Sequence, residues 1–421
     1  MYKEILQFIR QQKPELVVQA PSRINLINPL DGVEGAFWMP SLAINGIENP
    51  LSVFLFIKKS KKLSKIKFFS VQSNGNEYIF NLEKEEQILK RIVDFKKDLD
   101  GEFKLFYASV YRLHKTCALF WEKFTNTNYE IGILNTIPRQ SGLGGSASMI
   151  IAILYGLTKY LDLYNDLSCI RKDQFPINLD IIAEMATKVE DEDLMITAGY
   201  GDRYVISKGG LLFCSYHGKL EHKALSLEPL AVCERIDKNY RIHNFPIIIC
   251  YSGVVHDSGN VHQKLRTLYL SKDIRLIKGY NILAEISWKS RFYLMKKNWK
   301  KLGRLFRANT RIMNLIMQYA GFEYGIGSAN NILINIIENH PDVYAVKLTG
   351  AGGGGSVFAL VKPDKIDIVL KDWQQNLYEV INNDNLFLSL FPNYPIEIRE
   401  SLRNAQFFKI KISEGVKIIE T

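Results

Sequence analysis

The stretch "PRQSGLGGSASMII" (Pro138–Ile151) sets three glycines and three serines within eight residues and then runs straight into an apolar segment. Upstream, "NYEIGILNTIP" (Asn128–Pro138) reads as a strand, and residues 145–164 read as a helix. The glycines therefore lie between a strand end and a helix start. A helix start carries unpaired N–H groups and a partial positive charge, which favour phosphate. Glycine lets the backbone approach such an anion because no Cβ intervenes. A hydroxyl at Ser146 can hydrogen-bond a phosphate oxygen or ligate Mg²⁺. The spacing is neither Gly-x-x-x-x-Gly-Lys-Ser/Thr nor Gly-x-Gly-x-x-Gly, and alone it reads equally well as a tight turn with a serine cap.

A second stretch, "KLTGAGGGGSVFAL" (Lys347–Leu360), shifts that balance. Four consecutive glycines between two apolar strands cost backbone entropy and pack nothing. A plain hairpin loop needs one or two, so the run points to a ligand approaching the main chain.

Around these loops the 421-residue chain is 47% hydrophobic and 23% charged, ordinary for a soluble globular protein and enough for two domains. The start, "MYKEILQFIRQQKPELVV", is charged and lacks a signal-like apolar block, and "MIIAILYGL" (Met149–Leu157) is too short to span a bilayer. The expectation is a cytoplasmic protein with no membrane partner. Five scattered cysteines, Cys117, Cys169, Cys214, Cys233 and Cys250, contain no Cys-x-x-Cys and read as free thiols. The net charge of +10 resides largely in clusters such as Lys58–Lys67 and Lys296–Lys301, which read as solvated faces. No aromatic-basic module accompanies them, so no nucleic-acid partner is expected.

"PELVVQAP" (Pro14–Pro21), "PLSVFLFIKK" (Pro50–Lys59) and "EYIFNL" (Glu77–Leu82) read as early strands, and 101–124 and Asn178–Glu190 as helices. The latter part of "AGYGDRYVISKGGLLFCSY" (Ala198–Tyr216) reads as two strands around a Gly-Gly turn. Beyond residue 235 the pattern restarts: a buried strand in "FPIIICYSGV", helices over 259–320, a strand–loop–strand around the glycine run, and last strands in "NAQFFKIKISEGVKII". The reading is α+β, in two halves each with its own antiparallel sheet, divided as 1–235 and 236–421.

Together "APSRINLI" (Ala20–Ile27), "PRQSGLGGSAS" (Pro138–Ser148) and "KLTGAGGGGS" (Lys347–Ser356) resemble, in order and position, the three motifs of the GHMP kinases: galactokinase, homoserine kinase, mevalonate kinase and phosphomevalonate kinase. The resemblance implies a two-domain fold, with an N-terminal ribosomal-protein-S5-like domain and a C-terminal ferredoxin-like domain, as a monomer or homodimer. It also implies transfer of the γ-phosphoryl of Mg-ATP to a small-molecule hydroxyl. Carried over residue by residue, it assigns ATP to Pro138, Gly142, Leu143, Gly144, Gly145, Ser146, Ala147, Gly350, Gly352 and Gly353. Asp202 becomes the group that accepts or holds the acceptor's proton, and Arg23 the cation on the reacting oxygens. Mg²⁺ goes to Ser146 and to Glu190, twelve residues before Asp202, with Asp191 or Glu192 open as alternatives. Gly145 stands where many members have serine. Without the resemblance, Asp202–Arg203 reads as a turn salt bridge, Glu190 as a helix-surface acid and Arg23 as a strand-end charge.

The galactose-holding Glu-His-x-Asp is absent after "NLI". "NPLD" (Asn28–Asp31), "PRQSGLGGS", "AGYGDR" and "DSGNVHQKLR" (Asp257–Arg266) instead resemble the glucuronokinase branch. That implies a uronic acid as acceptor, with Asp31 on its hydroxyls and a cationic clamp from Arg139, His262, Lys264 and Arg266. A basic solvated helix face is the plain reading of the last three, and a turn residue that of Asp31. Other readings remain: a kinase for another sugar, a sugar phosphate, inositol or a mevalonate-type alcohol, or a ligand sensor without catalysis.

Overall fold

Leu16–Asn25 forms β1, a ten-residue strand that changes partner along its length and organises the sheet around itself. The structure is a computed structural model that describes residues 1–28, 30–33, 37–74, 77–91, 99–165, 177–216, 230–255 and 258–420. Asp257 and Pro29, in two of the quoted motifs, and Cys169 lie outside these residues. The further strands are β2 (Met39–Gly46), β3 (Ser52–Lys59), β4 (Lys65–Asn74), β5 (Glu77–Gln87), β6 (Tyr129–Asn135), β7 (Leu211–Ser215) and β8 (Val232–Arg235). They continue with β9 (Ile247–Tyr251), β10 (Val343–Thr349), β11 (Ser356–Val361), β12 (Gln406–Ile412) and β13 (Lys417–Ile418). The helices begin with α1 (Tyr2–Gln11), α2 (Lys104–Thr116), α3 (Ala118–Thr125), α4 (Gly145–Tyr160), α5 (Leu179–Lys188) and α6 (Gly201–Lys208). After α7 (Ile236–Asn239) come α8 (Ser258–Leu270), α9 (Ile274–Met295), α10 (Trp299–Tyr319), α11 (Ser328–Asn335) and α12 (Ile366–Asn382).

Residues Leu16–Pro21 of β1 lie on β3 and Ser22–Asn25 lie on β2, so the strand joins two sections of the sheet. The mixed α/β composition agrees with the α+β reading. The two halves, however, share one sheet, ordered β10-β11-β9-β12-β2-β1-β3-β6-β4-β5, rather than holding separate ones. The cause is β12, which pairs through Gln406–Lys409 with β9 and through Ile410–Ile412 with β2. Every named pairing is antiparallel except β4–β6. Lysines 58, 65 and 67 of the basic cluster face Glu85 and Glu130 across these strands. Among the described residues no helix is long and apolar enough to cross a membrane.

Helix α4 is buried almost all round, which an apolar stretch without a polar face requires. Gly156 lets it settle onto β3, because a Cβ there would come 2.3 Å from Leu55 Cδ2. Ile150, Ile151, Ile153 and Leu154 are each 0% exposed, and burying each such side chain is worth about 2 kcal/mol before entropy is counted. This packing fixes where the helix start, and with it Ser146, is aimed.

Two expectations are corrected. "GDRYVISK" is helix α6, not a strand, and Gly209 (φ 74°) and Gly210 (φ 69°) end it rather than turning a hairpin. Tyr204, Val205 and Ile206 favour strand locally, but all three are buried, which one face of an exposed strand cannot achieve. Cys214 and Cys233 are not free: the register of β7 and β8 sets them opposite one another, and they are bonded. Cys117 and Cys250 are free.

Candidate active site

The three motifs converge. The Ser22 hydroxyl donates to Leu143 O at 2.7 Å, the Arg23 N–H to Leu143 O at 3.2 Å, and Arg23 Nη1 to Gly142 O at 2.5 Å. The Asn25 N–H donates to Thr349 Oγ1 at 3.0 Å, and Asn28 Nδ2 to Gly350 O at 3.2 Å. The two glycine loops also touch directly, with the Ser356 hydroxyl donating to Ser141 O at 2.7 Å. A Cβ on Gly350 would come 3.2 Å from Gly142 O. In the second loop Gly350, Gly352, Gly353, Gly354 and Gly355 all have positive φ, so conformation alone demands the glycine run.

Gly144, at φ 80°, precedes the first turn of α4 and, as a glycine, brings no side chain to cap it. Its N–H groups are therefore a seat for an anion. Pro138 and Arg139 lead into the turn, Leu143 and Ala147 are buried beneath it, and Ser146 is exposed on it. Ser148 is different: its hydroxyl is buried, 2.7 Å from Pro21 O. Ser146→Ala is expected to weaken MgATP binding by about tenfold, one charge-assisted hydrogen bond, and leave the melting temperature unchanged. Ser148→Ala should do the reverse. Calorimetry and thermal melts on both variants check this, and a Ser146→Ala protein that binds MgATP as wild type does would remove Ser146 from the site.

Asp202 stands in the first turn of α6, facing β1. One carboxylate oxygen receives Arg23 Nη2 and lies 3.7 Å from Arg203 Nη1; the other receives Asn25 Nδ2 at 3.1 Å. Asn25 Oδ1 in turn accepts from the Ser41 hydroxyl at 2.8 Å, which fixes the amide's orientation. The Asp202 side chain is 17% exposed against 7% for Arg23, so the carboxylate can be reached while its partner stays sheltered. Asn25 was missed by motif reasoning. Its signal was present: two residues after Arg23 on a strand, it shares Arg23's face.

The acceptor residues divide. Asp31 is buried, and its Oδ2 accepts the Gly201 N–H at 2.7 Å, tying it to the start of α6. Its Oδ1 has no partner among the described residues. Burial, reinforced by Asp202, pushes the Asp31 carboxyl above the usual range, against the pull of the Gly201 N–H. His262 and Arg266 both lie against Gly32, one turn apart on α8. Arg266 is fully engaged, donating to Gly32 O at 2.8 Å and Ala198 O at 2.9 Å and pairing with Asp191 at 3.3 Å. Burial holds His262 down to about 4, helped by Arg266, Arg203 and Arg23 and opposed by Asp202, so the ring is neutral at pH 7. Lys264 lies over the Phe322 ring, and Arg139 is exposed on the first loop. The expected clamp is therefore not assembled as a set of free cations.

That histidine gives a pH dependence. Above about pH 6.5 the ring is neutral in folded and unfolded chains alike. As pH falls from there toward 4, the unfolded chain takes up a proton that the folded chain refuses, and stability is lost. His262→Gln is expected to flatten the loss between pH 7 and 4.5 by about 2 kcal/mol in urea unfolding. Equal losses in both proteins would contradict the assignment.

Of the metal ligands implied by resemblance, Ser146 fits and the acids do not. Glu190 is 4% exposed and ion-paired with Arg203, itself 5% exposed and drawn down to about 9 by burial and by Arg23. Asp191 pairs with Arg266, and Glu192 with Arg112 and Lys188. Among the described residues no group of three or more His, Cys, Asp or Glu side chains is arranged to hold a metal.

Comparison with known proteins bears on the family and the fold. Residues 108–210 match the GHMP kinases N terminal domain, and 293–379 the GHMP kinases C terminal domain. The chain is 27% identical over 286 residues to probable glucuronokinase 2 of Arabidopsis thaliana, covering 64% of this chain and 70% of that one. It is 26% identical over 281 residues to glucuronokinase 1 of the same plant, covering 63% and 68%. Lactococcus lactis galactokinase complexed with galactose superposes with a TM-score of 0.62 at 16% identity, over 96% of this chain and 94% of that one.

Proposed function

We propose, for a chain that belongs to the GHMP kinase family through both of its domains, that it moves the γ-phosphoryl group of ATP to a hydroxyl of a uronic acid, as a uronic acid 1-kinase. The observation that carries the reading is the Arg23–Asp202 pair, set beside two glycine loops that pack on one another. The α4 start and the Gly350–Gly355 loop hold the triphosphate, with Ser146 on a phosphate oxygen. Asp202 orients the acceptor hydroxyl and takes its proton as the oxygen bonds to the γ-phosphorus and the bond to the β-phosphate oxygen breaks. Arg23 holds Asp202 in place and offsets charge on the reacting oxygens. Positioning and charge neutralisation are most of what such a transfer needs. Mg²⁺, held by Ser146 with the phosphates and water, would neutralise the triphosphate.

The uronic acid rests on likeness to the two plant glucuronokinases and on the quoted motifs. Asp31 Oδ1, buried and without a partner among the described residues, is the group proposed for an acceptor hydroxyl. ADP release from Mg-ATP across free sugars, uronic acids, inositol and mevalonate tests the reading. Turnover confined to glucuronate or galacturonate supports it. Turnover on a neutral acceptor keeps the kinase and discards the acid. ATP binding with no turnover on any acceptor favours a sensor.

A further inference from the structure

Resting on the kinase reading above, the geometry points to a different task for Glu190 than metal binding: it is a positioning residue that holds Arg203 against Asp202. Four consecutive acids, Glu190–Asp193, occupy a π-turn, Val189–Asp193, that prolongs α5. Its wider backbone is closed by Leu194 N–H to Val189 O at 3.0 Å and Ile196 N–H to Glu190 O at 2.8 Å. Successive side chains then fan around the turn, and each meets a cation from another element or from α5. Glu190 meets Arg203 of α6, and Asp191 meets Arg266 of α8 at 3.3 Å. Glu192 meets Arg112 of α2 at 2.8 Å and Lys188 at 3.2 Å, and Asp193 accepts Arg112 Nε at 2.7 Å. The acidic run is a set of struts rather than an open cage.

Arg203 is the strut that reaches the chemistry. Its Nη1 donates to Gly199 O at 2.8 Å and lies 3.7 Å from Asp202 Oδ2, and its Nε, buried, has no partner among the described residues. Arg23 reaches the same carboxylate oxygen, so Asp202 Oδ2 meets two guanidinium groups. A dication on Glu190 would displace one of them and face the other. The arrangement leaves the metal to Ser146 and the phosphates, and makes Glu190 act through Arg203.

The test separates metal from positioning. Calorimetry of MgATP and Mn²⁺–ATP with Glu190→Gln is expected to give affinities within about twofold of wild type, while kcat on the best acceptor falls about thirtyfold from lost alignment. Arg203→Gln should fall similarly, and the double variant should be no worse than either single, because the two act as one unit. A tenfold or greater loss of metal–nucleotide affinity in Glu190→Gln, or single effects that multiply in the double variant, would overturn the inference. If Glu190→Gln fails to fold, Arg203→Lys carries the test: a lower kcat with unchanged metal–nucleotide affinity supports positioning, and wild-type kcat contradicts it. Wild-type protein that binds no MgATP would overturn the kinase reading itself, and this inference with it.

Discussion

Replacing Asp202 by asparagine is expected to lower kcat by about a thousandfold while MgATP affinity stays within about twofold of wild type, since a positioned general base is worth 10²–10⁴ in rate. Asparagine keeps the shape, so the acceptor still meets a polar group. It cannot take the proton, and its amide nitrogen presents a donor to Arg23 or Asn25, both already donors at this carboxylate. A modest stability loss, about 1–2 kcal/mol, should accompany it, because Arg23 and Arg203 lose their shared anion. Steady-state kinetics with calorimetric MgATP binding separates the two effects. A variant within tenfold of wild-type kcat would make Asp202 a structural partner for Arg23 and no more.

Gly144→Ala is expected to cost about a hundredfold in kcat/KM for ATP, roughly 2.7 kcal/mol of transition-state stabilisation. At φ 80° any L side chain is strained, a cost of about 1–2 kcal/mol. The new Cβ would also lie 3.0 Å from Arg23 Cγ and 3.3 Å from Ile206 Cδ1, so it pushes the arginine that holds Asp202 and the helix that carries it. The neighbouring glycine is the control. A Cβ on Gly145 meets nothing nearer than 3.7 Å, so Gly145→Ala or Gly145→Ser should keep wild-type melting behaviour. Equal losses at 144 and 145 would show that loop flexibility, not this contact, matters.

Glycine spacing and strand periodicity made the site's backbone legible in the sequence. Both glycine loops, the α4 start and the strand carrying Arg23 could be placed because each depends on local conformation and residue type. What stayed hidden depends on tertiary partners. β2, "MPSLAING", carries a proline and a glycine that weaken a strand pattern, and only its neighbours β1, β7 and β12 make it one. The α6 segment reads as strand because Tyr204, Val205 and Ile206 favour one locally, and burial on all sides overrides that preference. The resemblance assigned a metal to Glu190, and the sequence shows that acid's charge but not what neutralises it. Arg112, Arg203 and Arg266, which neutralise the acidic run, come from three separate helices. His262 likewise looks cationic in the sequence, and becomes neutral only through the burial that folding imposes.

The most direct test of the central claim follows the phosphorus itself: ³¹P NMR of the protein with Mg-ATP and glucuronate, against Asp202→Asn. The account predicts growth of a sugar 1-phosphate resonance in step with loss of the γ-phosphate and appearance of ADP, and no such growth in the variant over the same hours. Inorganic phosphate as the only new resonance, or a sugar phosphate formed equally well by Asp202→Asn, would contradict it.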